Sequence, residues 1–161
     1  MPDRRHHRLW RVGIALVCFL AAALPLTAAE TGAAGVDSAW AKAFKANDLE
    51  GVMACYAKDA VAWFPAEAEH HGADAIRASY KAFFDANTVT NVSITNMHQA
   101  TVGGRSVSWG NYAFTAKPKA GGKSSTTTGR FTDVAEQHGS RWVYVVDHAS
   151  ADPAPAPAAK K

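Results

Sequence analysis

The stretch RWVYVVDHAS, from Arg141 to Ser150, constrains the fold more than any other part of the chain. On an extended strand its side chains alternate, so Trp142, Tyr144, Val146 and His148 share one face and Val143, Val145 and Asp147 the other. Neither face is plainly polar, whereas an antiparallel strand with one solvated side carries its apolar residues on the other side only. One face is expected to pack on a helical layer. The other needs a second cover, and a twofold copy of the chain is the simplest source. Left bare, it would extend into an apolar patch larger than monomers usually expose. This predicts a homodimer packed through the sheet, with Trp142 and Tyr144 near its centre.

Read outward from that stretch, the same period of two runs back through the second half of the chain. Residues 89–102, 106–117, 124–136 and 141–149 are rich in Thr, Val and aromatics. Gly103-Gly104, Gly121-Gly122 and His138-Gly139 separate them as hairpin turns. Upstream the period changes to 3.6. Asp37 is a candidate N-cap for a helix whose Val36, Trp40 and Phe44 recur at i, i+4 and i+8. Asn47-Asp48 interrupts it, and Asp48 is placed to cap a second short helix bearing Leu49, Val52, Met53 and Tyr56 on one face. Residues 60–64 read as a strand stopped by Pro65, which cannot donate to a ladder. A polar loop over 66–71 leads to a third helix from Gly72, with Ile76, Tyr80, Phe83 and Phe84 on one stripe. The order predicts an α+β domain, three N-terminal helices on one face of a curved antiparallel sheet.

The two chain ends read differently. Residues 1–11 are short and cationic, 12–26 almost wholly apolar, and Thr27-Ala28-Ala29 supplies small residues before a cut at Glu30. Those three features define a secretory signal peptide, and the apolar run is shorter than the roughly 20 residues of a spanning helix. The expected boundaries are a leader at 1–29, a linker at 30–35, a domain at 36–150 and a disordered Ala/Pro tail at 151–161. The expected location is periplasmic or secreted. Four of the 17 Lys and Arg residues and one of the 14 Asp and Glu residues fall in the leader, which leaves 13 of each behind it. A chain so balanced has no basic surface to neutralise a run of phosphates, which argues against nucleic acid as a partner. Behind the leader Cys55 is the sole cysteine, set in an apolar helical stretch where cysteine acts as a small hydrophobe.

Several segments together resemble a known family. They are Trp40–Val61 (WAKAFKANDLEGVMACYAKDAV), Pro65, Gly72–Arg77, Gly129–Val134 (GRFTDV) and Arg141–Ser150. These are similar to the nuclear-transport-factor-2-like superfamily, in its SnoaL-like and kinase-association-domain-like branches. The resemblance implies a cone, in which a strongly curved sheet wraps around helices and leaves a pocket at the open end, with frequent dimerisation through the sheet. Ketosteroid isomerase chemistry in that superfamily needs a carboxylate base, a Tyr donor and a protonated Asp. Through the resemblance, the base position falls on Phe64, the Tyr position on Trp40, and the acid has no counterpart near Gly129. Steroid isomerase activity is therefore not expected.

Among the polar residues, Asp147 and His148 are adjacent but point to opposite faces of a strand, so their side chains cannot work as a pair. If Phe131, Val143 and Val145 face the interior, Asp133 and Asp147 come inward with them from neighbouring strands. Two close carboxylates would push one pKa up and create a general acid. The alternative places them at strand ends in solvent or against an arginine. Arg130 has the donor fork to meet an anionic ligand, and could equally pair with an acid across the sheet. The aromatics Trp40, Tyr56, Trp63, Phe64, Tyr80 and Trp109 are expected mostly in the core, which a pocket shares with it. His70-His71 with Glu67 and Glu69 lacks a metal-ligand spacing, and no Gly-rich phosphate loop or nucleophile elbow occurs.

Candidate ligand contacts are thus Trp40, Tyr56, Phe64, Tyr80, Arg130, Asp133, Asp147 and His148. The leading expectation is an exported, non-catalytic protein that binds a small apolar or weakly anionic molecule. Neither cofactor nor metal is expected, nor a membrane contact once the leader is gone. One alternative is an enzyme performing proton transfer or hydrolysis on an apolar ring compound through Asp133 or Asp147. Another is a protein-interaction or assembly module.

Overall fold

Helix α1, Ala33–Lys45, begins four residues before the cap expected for it. Its first N–H groups are satisfied from far along the chain: Ala33 N–H donates to Ser106 Oγ (2.9 Å) and Ala34 N–H to Gln99 Oε1 (2.8 Å). A helix start fed by strands carries no local sequence signal, so the presumed linker at 30–35 in fact contributes its last three residues to the helix. Gly32 makes the approach possible. It sits at φ 76°, and a Cβ there would collide with Ser106 Oγ. The computed structural model describes residues 31–153, so the leader and most of the Ala/Pro tail lie outside the described residues.

Asn47, at φ 57°, ends the first helical segment in the left-handed region that Asn tolerates. Its side chain accepts from Val89 N–H (2.8 Å) and donates to Val89 O (3.0 Å), tying this corner to the sheet. Asp48 then caps α2 (Leu49–Met53) as expected, its carboxylate accepting from Gly51 N–H at 3.0 Å. After β1 (Tyr56–Trp63) comes a two-residue strand β2 (His70–His71) inside the expected loop, paired with β1. Helix α3 spans Gly72–Ala86. Four long strands follow: β3 (Asn87–Val102), β4 (Arg105–Pro118), β5 (Ser125–His138) and β6 (Arg141–Ala151).

The six strands form one sheet in the order β2-β1-β6-β5-β4-β3. The chain leaves β1, crosses α3 and the meander, and returns alongside β1 in the same direction. That pair is therefore parallel and the sheet is mixed, not wholly antiparallel. Register shifts in β3 between Val89 and Asn91 and between Thr95 and His98 bend the long strand, as bulges do. The result is a curved, unclosed sheet wrapped around the helices.

Inside the curve Phe44 is the hub. Its ring lies 4.9 Å from Trp40, 5.4 Å from Phe84 and Phe114, and 5.6 Å from Phe83, so α1, α3 and β4 meet on one residue. Ile76 and Val52 are fully buried beside it. Each such side chain stabilises the fold by roughly 1.5–3 kcal/mol relative to an exposed position.

A β-bulge in β6 corrects the face assignment made from alternation. Val146 pairs with Val134, but the next pair is Tyr144 with Ala135, so two steps on β6 oppose one on β5 and Val145 is the extra residue. The bulge reverses the phase. Tyr144 turns inward with Asp147, while Val146 and His148 face outward. Tyr144 is buried and Trp142 packs partly buried against the core, so neither is the centre of an outer interface.

Candidate functional site

The open end of the curve encloses a cavity of about 330 Å³. Rings from Trp40, Phe44, Phe64, Tyr80, Phe114 and Phe131 supply most of its wall. At its exposed rim Glu67 accepts from Ser79 Oγ (2.7 Å) and meets His70 Nε2 at 2.9 Å. Gly129 lets Tyr112, which lines the cavity from the neighbouring strand, pack close: a Cβ there would strike the Ser150 carbonyl oxygen and the ring and hydroxyl of Tyr112.

Three carboxyl groups also line this apolar space. Asp133 on β5 and Asp147 on β6 are direct cross-strand partners, and Asp37 enters from the second turn of α1. All three are buried. Their partners form a directed network. Trp40 Nε1–H donates to Tyr80 Oη at 2.9 Å. An indole only donates, which leaves the Tyr80 hydroxyl proton for Tyr56 Oη, 2.8 Å away. Tyr56 in turn donates to Asp147 Oδ2. Tyr144 Oη–H donates to Asp37 Oδ1 at 2.6 Å, and His148 N–H to Asp133 Oδ1 at 3.3 Å.

Burial fixes the charge states. Desolvation pushes the Asp133 carboxyl well above the usual carboxylate range, and the facing Asp147 and Asp37 charges push it further. Desolvation also raises Asp147, but the Tyr56 hydroxyl and the Asp133 side chain favour its ionised form and hold it to about 6. Asp133, the more strongly raised of the two, therefore keeps its proton to higher pH than Asp147. Tyr56, Tyr80 and Tyr144 are driven above their ordinary range, chiefly by burial, and remain neutral donors. A carboxylic acid held neutral in an apolar wall can donate a hydrogen bond or a proton to whatever occupies the space.

Of the eight residues singled out from sequence, five line this cavity: Trp40, Phe64, Tyr80, Asp133 and Asp147. Tyr56 stands behind the wall and reaches it through Asp147. The other two are corrected. Arg130 alternates with the inward Phe131, so its side chain leaves the opposite face, exposed and 3.7 Å from Asp152. His148 follows Asp147 and faces outward too, its ring edge-on to Trp63 at 6.4 Å. Trp63 and Trp109, assigned to the core, are 38% and 41% exposed on that same outer face. Cys55 is buried as expected, and burial pushes its thiol up to about 12, which leaves it inert as a nucleophile. Two residues were missed. Asp37 is a candidate cap by residue type, but its spacing of three from Trp40 and seven from Phe44 puts it on the inward stripe. Tyr144 was assigned outward because nothing in the local sequence announces the bulge.

The model of the SnoaL-like domain family matches residues 38–145. No curated protein matches the chain. Among solved structures, a ketosteroid isomerase-like protein from Erwinia carotovora atroseptica superposes with a TM-score of 0.64 at 18% identity, over 74% of this chain and 94% of its own. A Xanthomonas campestris protein named for the calcium/calmodulin-dependent protein kinase II association domain gives 0.65 at 24% identity, over 74% and 85%. A conserved protein from Planctomyces limnophilus gives 0.65 at 16% identity, over 74% and 92%. At such identities these likenesses establish the shared cone fold, and the chemistry of the cavity must be argued from its own side chains.

Proposed function

The chain belongs to the SnoaL-like domain family, and from that premise we propose that it is an exported binding protein whose cone holds one small, largely apolar molecule. The observation that carries this reading is the cavity: about 330 Å³ with aromatic walls and a few convergent polar groups at one end. That combination is what small-molecule sites share. The body of the ligand packs against the rings of Trp40, Phe44, Phe64 and Tyr80, and its polar group meets Asp133 and Asp147. Export rests on the leader at 1–29, and no described helix is long and apolar enough to cross a membrane.

A second reading is favoured by the charge states of the acid pair. Asp133 keeps its proton to higher pH than Asp147, and both face the same apolar space. The two could move protons to and from a bound ring compound, one giving and the other taking. Binding is common to both readings.

The test uses 2-naphthalenemethanol as a probe and Ala149→Trp as a plug. Ala149 lines the cavity two residues beyond Asp147 and takes no part in the hydrogen-bond network. The probe should raise the melting temperature of the wild type and leave that of the folded Ala149→Trp protein unchanged. Equal shifts in both, or none in the wild type, would contradict binding in the cone.

A further inference from the structure

The side chains at the polar end of the cavity differ in type from those expected for an apolar or anionic ligand. The carboxyl groups that line the cavity are Asp37, Asp133, Asp147 and, at the rim, Glu67. Among the described residues no Lys, Arg or His lines it. Among the described residues, the basic side chains nearest in sequence to Asp133, Asp147 and Glu67 are turned elsewhere. Arg130 leaves the opposite face toward Asp152, His148 packs edge-on to Trp63, and His70 meets Glu67 beside the mouth. The remaining titratable groups that face the acid pair are the phenols of Tyr56, Tyr80 and Tyr144, with Tyr112 on the neighbouring wall, and burial keeps all four neutral.

We infer that the head group this cavity accepts is an organic cation, an ammonium carried on an apolar ring body. The inference rests on the reading that the cone holds a small molecule and specifies which kind. Four physical points converge on it. A buried carboxylate with no counter-charge is costly, and a cation entering beside Asp147 turns that cost into an ion pair in a low-dielectric space. An anion would add like charge beside the Asp147 carboxylate. The walls suit a cation as well, because ring faces attract ammonium groups within about 6 Å of their centroids. Trp40 stacked on Phe44, with Tyr80 and Phe64 at 5.1 Å, sets several faces around the same space. A metal ion is a poorer match, since among the described residues no group of three or more His, Cys, Asp and Glu could hold one. The cavity carries the site, and its acids select the sign.

Calorimetric titration of the purified chain at pH 7.5, above the Asp147 midpoint of about 6, separates the possibilities with three probes of one shape. These are 2-naphthylmethylamine, 2-naphthalenemethanol and 2-naphthoate. The amine should bind at least about tenfold more tightly than the alcohol, as expected for one charge-assisted hydrogen bond in place of a neutral one. The naphthoate should give no binding heat at millimolar concentration. An alcohol that binds as well as the amine, or a naphthoate that binds more tightly than either, would overturn the cation assignment while leaving a binding cone in place. No binding by any probe would remove both. Asp147→Asn should reduce the amine preference to within about twofold with alcohol binding kept. A tenfold preference that survives in this variant would place the cation away from the acid pair and overturn the assignment. If Asp147→Asn does not fold, wild-type titration at pH 5 applies the same criterion, because Asp147 is then mostly protonated.

Discussion

Asp147 carries the most consequential side chain in the molecule, because its ionisation is opposed by burial and supported by one phenol. Its pKa is raised from 3.8 to about 6, so the folded state holds a proton that the unfolded state has already released. Stability must then fall as pH rises from about 4 through 6, by about 3 kcal/mol for a shift of roughly two units. Urea denaturation at pH 4.5 and pH 8 should show about 2 kcal/mol of this loss, because the unfolded Asp147 is already mostly ionised at pH 4.5, and Tyr56→Phe should enlarge it. Without the Tyr56 donor the carboxylate at pH 8 loses a further 1–3 kcal/mol or so, whereas at pH 4.5 the neutral acid loses much less. An equal cost at both pH values would mean that Tyr56 acts only as packing. At this scale the sequence was partly legible. Simple alternation places Asp133 and Asp147 on facing strands and the inward Phe131 beside them. It could not show that the bulge at Val145 brings Tyr144 to the same wall, because a bulge is a property of two paired strands and not of one.

Elements of secondary structure were easiest to read where their signals are local. The Asp48 cap, the glycine hairpins and the stripes on α1 and α3 depend on neighbours within one or two turns, and each is where the spacing put it. The start of α1 was misplaced for the converse reason. Its N–H groups are met by Ser106 and Gln99, which lie 73 and 65 residues away in sequence. Ser106 therefore acts as a distant cap. Ser106→Ala should destabilise the protein by about 1–2 kcal/mol, the cost of losing an N-cap-type acceptor above a buried N–H. Amide exchange should also quicken at Ala33 more than in the second half of the helix. Since α1 presents Asp37 and Trp40 to the cavity, a frayed start would loosen the site together with the helix. Unchanged exchange at Ala33 would mean that α1 is held by its packing alone.

For the molecule as a whole, the cone was foreseeable through family resemblance, whereas the composition of its outer face was not. Two rows cross five strands there: Val61, Val146, Val134, Val107 and Ala100 in one, and Trp63, His148, Thr132, Trp109 and His98 in the other. We propose that a homodimer, if formed through the sheet, uses Trp63 and Trp109, the exposed tryptophans of this face, in place of Trp142 and Tyr144. Sedimentation at micromolar concentration should give a dimer, and Trp63→Lys with Trp109→Lys a folded monomer, since each charge would be desolvated without a partner. A wild-type monomer would remove the sheet as an interface. The account turns, however, on the inside of the cone. Native mass spectrometry of the protein purified from the cells that make it tests this most directly. Each subunit should have the mass of a chain beginning at Glu30, plus one non-covalent adduct that 2-naphthylmethylamine displaces. A chain that retains no adduct and takes up none of the amine would contradict the account.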